Sequence, residues 1–227
     1  MDKTRLEAFS DGVFAVAITL LALNLTVAGP GHESLVRQVV DRWPSFLAFV
    51  VSFFAIGIAW VNHHSLFKSI ATTDRTLLFL NLTLLLFIVA IPFGTATMAT
   101  YLQGGGADAP LAAALYAALL EGMALSFAAI FVWSIGDGKR RYRPLPARGV
   151  GRALVRFSIG TLAYLVAIAL AFVNAVGALA FITAVAIYYV VEHNPSTSAE
   201  GPTRTDQGGR SADSPLITAD HADFVFQ

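Results

Sequence analysis

The chain has 227 residues, of which 56% are hydrophobic and 13% charged, about half the charged share of a soluble domain. Mean hydropathy is +0.66, and fifteen basic residues balance fifteen acidic ones, which points to no nucleic-acid partner. With no cysteine, disulfides, thiolate chemistry and Cys-ligated metal sites are excluded.

Several runs reach the roughly 18–20 apolar residues that a spanning helix needs. The expected fold class is therefore an all-α, multi-pass membrane protein with six transmembrane helices. The first span covers about residues 6–27 and stops at the breaker cluster Gly29-Pro30-Gly31. Its leading segment, MDKTRLEAF, reads as a mature helix and not as a signal peptide, because Glu7 and Asp11 intrude where such a leader is basic or uncharged. A polar stretch with Glu33, Arg37, Asp41 and Arg42 follows.

Span two covers about 44–63, with Pro44 suited to a helix start. Span three covers about 75–101, and Pro92 inside it is expected to kink it. GGGADAP leads to span four, about 110–135, and the basic loop GDGKRRYRPLPARGVGR leads to span five, about 153–172. Span six, about 175–192, follows after almost no loop, so the last two spans form a tight hairpin. The expected domains are thus a six-span transmembrane domain over 1–193 and a tail over 194–227, disordered by composition. The DHAD stretch in that tail has no packed scaffold on which to build a metal site.

Basic residues near the span ends set orientation. Lys3, Arg5, Lys68, Arg75, Lys139, Arg140, Arg141, Arg143, Arg148 and Arg152 fall on one side, with Arg37 and Arg42 on the other. Both termini are therefore expected in the cytoplasm, with the protein in the cytoplasmic membrane.

An intramembrane acid is costly, about 2.5–3.5 kcal/mol at a helix centre on insertion scales, yet span one begins with Phe9-Ser10-Asp11. Span two ends with AWVNHHSLF, containing Trp60, Asn62, His63 and His64, and Asn81 follows in span three. These groups are expected at similar depth, and in hydrocarbon they are best satisfied by one another. Trp60, His63 and His64 also suit a plain interfacial belt. Adjacent histidines point about 100° apart on a helix, so they do not jointly ligate one ion, and no metal or other cofactor is expected. Ser10 and Asp11 diverge in the same way and no GxSxG elbow is present, so no enzyme is expected. Glu121 stands alone near the middle of span four.

Val16, Leu20 and Leu23 fall at i, i+4 and i+7, with Thr19 beside them and Gly12 and Val27 extending the stripe. Ser10 and Asp11 lie about 120–140° around the helix from Val16. Phe14 is expected to face lipid.

The motif R-x-x-x-F-S-D at Arg5 to Asp11, continued by GVFAVAITLLAL, resembles the first-helix signature of the transmembrane protein 175 family. Trp60, the Asn-His-His run at 62–64, Asn81 and the six-span length agree with it. This family comprises endosomal and lysosomal potassium channels of animals, with two six-helix repeats, and one-repeat bacterial and archaeal relatives. The resemblance implies a homotetramer in the lipid bilayer, passing potassium and other monovalent cations. It implies that the first helix of each subunit lines a central pore without the TVGYG filter, a motif absent here. The matching constriction positions are Val16, Leu20 and Leu23, with Thr19 implicated in selectivity; Val16 departs from the commoner Ile. Arg5, Phe9, Ser10, Asp11, Trp60, Asn62, His63, His64 and Asn81 are then expected to form a structural polar network. A proton-coupled secondary transporter using Asp11, His63 or His64 and Glu121 is the rival reading, and a non-conducting scaffold the third.

Overall fold

The computed structural model describes residues 2–29, 31, 33–137, 140–142 and 147–192. The tail expected over 194–227 lies outside the described residues. The described chain is helical: α1 (Lys3–Ala22), α2 (Leu35–Asp41), α3 (Trp43–Ser69), α4 (Arg75–Gly104), α5 (Ala109–Ile135), α6 (Ala147–Val173) and α7 (Ala175–Glu192). By length and composition, α3, α4, α5 and the 150–173 part of α6 can cross a membrane. Of the other two expected spans, α1 carries Arg5, Glu7 and Asp11 in its first half, and α7 is only 18 residues long.

Helix α1 is capped by Asp2, whose side chain accepts from the Thr4 N–H at 3.3 Å. It ends at Ala22, short of the 27 expected. The N–H groups of Leu23, Asn24 and Leu25 close on carbonyls three residues back, the tightened geometry of a finishing helix. Beyond that, Gln38 takes over: its Oε1 accepts from the Ala28 N–H at 2.8 Å and its Nε2 donates to Glu33 O at 2.7 Å. Gly29 and Gly31 turn the chain at φ +84° and +97°, a region glycine enters without steric cost. The stretch expected as a polar linker therefore contains α2.

Helix α3 continues through Ser69, so the Asn-His-His run is internal to the helix and not at its end. Asp74 caps α4 by accepting from the Leu77 N–H at 2.8 Å, and α4 runs unbroken through the buried Pro92. The one residue between α6 and α7 is Asn174. Its N–H donates to Leu170 O at 2.8 Å and its Oδ1 accepts from the Gly177 N–H at 2.9 Å, so it finishes one helix and starts the next. The tight hairpin follows from that dual use.

Helix α4 packs on α1, α3 and α5, and α5 packs on α6. Small residues allow the close approaches: Gly94 sits against Leu119 and Tyr116, and Gly122 against the Phe87 ring. The two ends of the bundle differ. At one, Lys3 Nζ donates to Ile70 O at 2.8 Å, and Ser69 to Ala71 pair with Arg140 to Tyr142. The start of α1, the α3–α4 connection and residues 140–142 thus share an end. At the other, Arg42 Nη1 donates to Thr26 O and Oγ1, each at 2.8 Å, and Gln103 Nε2 to Asp41 O at 3.2 Å.

Candidate pore-helix face and its polar anchor

The inward face of α1 is Leu6, Ser10, Phe14, Ala17 and Leu21, all buried. Steps of three and four residues keep them on one side of the helix, against α3 and α4. Phe14 is 1% exposed, with its ring 5.4 Å from that of His63. It is a core residue and not the lipid-facing one expected, because it falls four residues after Ser10 on the packed stripe.

The outward face carries the apolar stripe. Val16 is 55% and Leu23 73% exposed; Thr19 and Gly12 are exposed and Leu20 is half-buried at the margin. Leu23 is the C-cap of α1, held by its N–H to Leu20 O and Leu21 O. Thr19 Oγ1 donates to Val16 O at 2.8 Å, which leaves its oxygen lone pairs free to accept.

Ser10 and Asp11 serve different networks. Asn81 Nδ2 donates to Ser10 Oγ at 3.0 Å, and Ser10 in turn donates to Leu6 O at 2.9 Å. Asn81 Oδ1 faces His63 Nε2 at 2.9 Å. An amide oxygen only accepts, so His63 bears its proton on Nε2. The resulting relay runs in one direction, from His63 through Asn81 and Ser10 to the α1 backbone, and all three side chains are buried. Phe67 stacks on the His63 ring at 4.1 Å, opposite in kind to the tilted Phe14 contact. His63 Nδ1 has no partner.

Asp11 is exposed, and its Oδ1 accepts from the Trp60 indole N–H at 2.9 Å. His64 stacks on that indole, 5.9 Å between ring centroids. Two clusters therefore replace the single expected network. His63 enters the core while the neighbouring His64 stays exposed, which is the 100° divergence at work. Arg5 and Phe9 are exposed, Asn62 is half-buried, and among the described residues Arg5 has no ion pair.

Sequence reasoning missed a second buried set. Ser52 Oγ lies 2.7 Å from Thr95 Oγ1 and 2.8 Å from Tyr116 OH. The available signal was three hydroxyls spread over three apolar spans, each obliged to find a partner there. Glu121 is buried in α5 with Oε2 unpartnered.

Known proteins resemble this chain in sequence and fold. The family model described as the endosomal/lysosomal potassium channel TMEM175 matches residues 5–92, the stretch holding the FSD motif, Trp60, His63 and Asn81. A potassium channel of Streptomyces collinus is 42% identical over 203 residues, covering 88% of this chain and 97% of that one. A potassium channel of Chamaesiphon minutus is 35% identical over 195 residues, covering 84% and 94%. A crystal structure of a Chamaesiphon minutus homologue of the lysosomal potassium-selective channel TMEM175 is 36% identical, with a TM-score of 0.73 over 85% of this chain and 98% of that one. On this likeness in sequence and fold, the chain belongs to the transmembrane protein 175 (TMEM175) family, whose members are ion channels and not enzymes.

Proposed function

We propose that this chain is one subunit of a homotetrameric, potassium-permeable cation channel, with α1 of each subunit lining a central pore. The observation that carries the reading is the outward face of α1. Val16 and Leu23 are more than half exposed and Thr19 is exposed, although the helix is fixed to its subunit on its other side. Relatives that cover nearly their full length here are named potassium channels.

In this reading each subunit crosses the bilayer six times, with α1 and α7 as the first and last spans and α2 outside the hydrocarbon. The channel domain is 1–193, the 194–227 tail is cytoplasmic, the protein lies in the cytoplasmic membrane, and both termini face the cytoplasm. Val16, Leu20 and Leu23 form stacked apolar rings around the axis. A narrow apolar neck gates by dewetting, and it passes potassium more readily than sodium because the larger ion sheds water at lower cost. Thr19 contributes an oxygen that accepts from, or coordinates, the hydrated ion between the rings. Ser10, Asp11, Trp60, His63, His64 and Asn81 hold α1 in register within the subunit, Arg5, Phe9 and Asn62 join this structural set only in the assembled channel, and none of the nine touches the ions.

A proton-coupled transporter would link Asp11 to a histidine, but Asp11 pairs with Trp60 while His63 pairs with Asn81. The test is flux in liposomes holding the purified chain, with potassium, sodium and caesium compared. Faster potassium than sodium flux and unitary current steps in a planar bilayer are expected. Stoichiometric, proton-dependent uptake without unitary steps would sink the channel reading, and no flux of any cation would leave a scaffold.

A further inference from the structure

The segment Arg140 to Tyr142 lies across the end of the bundle as a short antiparallel bridge. Ala71 N–H donates to Arg140 O at 2.8 Å and Tyr142 N–H to Ser69 O at 3.2 Å, with Arg141 opposite Ile70. Each cation held there rests on neutral groups. Arg140 Nη1 donates to Trp133 O at 2.8 Å, its guanidinium 4.7 Å from the centre of that indole. Arg141 Nη1 donates to Ser134 Oγ at 2.9 Å. Among the described residues the ion pairs are Lys3–Glu7 and Arg37–Glu33, so within that set neither guanidinium is in an ion pair.

Arg141 is the unusual member. It is 7% exposed, and Nε has no partner. A guanidinium offers five N–H donors and stays charged in proteins. A charge enclosed to this degree is ordinarily paired and fully hydrogen-bonded. Burial pulls its pKa below the usual arginine value, the direction expected of a cation short of counter-charge. Trp133, one residue from the Ser134 that Arg141 grips, also has a buried indole N–H with no partner. Among the described residues no carboxylate is paired with Arg141.

We propose that Arg141, with Arg140 beside it, binds a phosphate oxyanion at this end of the bundle, supplied by the headgroup of a bilayer phospholipid. The site lies where α5 leaves its apolar span, the depth at which headgroup phosphates sit. A planar guanidinium matches the two oxygens of a phosphate in parallel, and basic pockets between membrane helices at the interface take such headgroups. Lys3 Nζ, on the first turn of α1, donates to Ile70 O and lies 5.1 Å from the Tyr142 ring centre. The occupant therefore steadies the bridge to which α1 is tied.

The inference requires only that this end meets a bilayer, so it stands or falls apart from ion conduction. The test is thermal melting of the purified full-length chain in uncharged detergent. Dioctanoyl phosphatidylglycerol, dioctanoylglycerol and inorganic phosphate are each added at the same concentration. Phosphatidylglycerol at several times its dissociation constant should raise the midpoint by about 3–5 °C, and dioctanoylglycerol should not. Arg141→Gln should lose the shift, and Arg141→Lys, which keeps charge without the fork, should lose most of it. Arg37→Gln at the opposite end should keep it. An equal rise with inorganic phosphate would assign the oxyanion site to free phosphate instead of a headgroup. No rise in the native chain, a rise with dioctanoylglycerol, or an undiminished rise in Arg141→Lys would overturn the proposal, including where Arg141→Gln fails to fold.

Discussion

The indole N–H of Trp60 meets Asp11 Oδ1 at 2.9 Å on the exposed side of α1, about 100° around the helix from the buried bond between Asn81 and Ser10. Neighbours in sequence thus anchor one helix to two others by bonds of different cost. Losing the exposed bond returns both groups to solvent or headgroups. Losing the buried one strands polar atoms at about 1–3 kcal/mol per group.

Stability should follow that difference. Asn81→Ala is expected to lower the melting temperature well beyond Asp11→Asn, because it leaves both Ser10 and His63 without their partner. Asp11→Asn keeps an oxygen for the indole and should cost little, Asp11→Ala more. A melting series in which Asp11→Asn is the most damaging would mean that the acid has a second partner in the assembled channel.

Truncation along α1 should separate core from pore. Phe14→Ala removes a buried ring and should destabilise the subunit by about 3–5 kcal/mol. Leu23→Ala should leave stability nearly unchanged while raising conductance and weakening potassium preference, and Leu20→Ala should do the same with a modest stability loss. Leu162→Ala, exposed on α6, is the control for both. If Leu23→Ala and Leu162→Ala behave alike in liposome flux, the pore face is assigned wrongly.

Sidedness can be measured directly, since the chain has no cysteine background. Thr72 and Ala107 are exposed and lie in the connections at either end of α4. Single cysteines there should react with a membrane-impermeant maleimide from opposite sides, Thr72→Cys only from the cytoplasm. Labelling of both from one side would refute the proposed topology.

A fourth expectation concerns close packing. The Cβ of Gly122→Ala would run into the Phe87 ring, whereas that of Gly57→Ala meets nothing within 4 Å. Overpacking of this kind costs about 1–3 kcal/mol. Helical Gly→Ala without a clash gains about 0.5–1 kcal/mol, so the two variants should move the melting temperature in opposite directions.

Most of the spanning helices could be read directly, because long apolar runs and Pro44 are local signals. The partners of polar groups were harder. Trp60, Asn81 and one of the two histidines were identifiable as a set, since each needs a bond in an apolar setting. How they divide between Ser10 and Asp11 depends on the angle at which α3 and α4 cross α1, which no run of residues states. Phe14 went astray for a related reason. In a helix apolar on every side, periodicity alone does not tell a core stripe from a lipid stripe, and only the buried Ser10 below it marks the packed face. The α2 helix was hidden by charges at Glu33, Arg37 and Asp41, although Leu35, Val36, Val39 and Val40 share one side of it.

Helix α1 is moored at three heights to its own subunit: Lys3 to Ile70 at one end, Ser10 to Asn81 along its length, and the chain just past its far end to Gln38 and Arg42. A rod pinned at three points can neither slide nor swing without breaking one of them. What remains free is the set of side-chain torsions on its outward side, where Val16 has one and Leu20 and Leu23 have two each. Rotamer exchange at exposed positions takes picoseconds to nanoseconds, far faster than helix movement. If α1 lines the pore as proposed, fluctuations in pore width arising in it should be too brief for single-channel recording to resolve, and any slow closure must originate where a mooring is released.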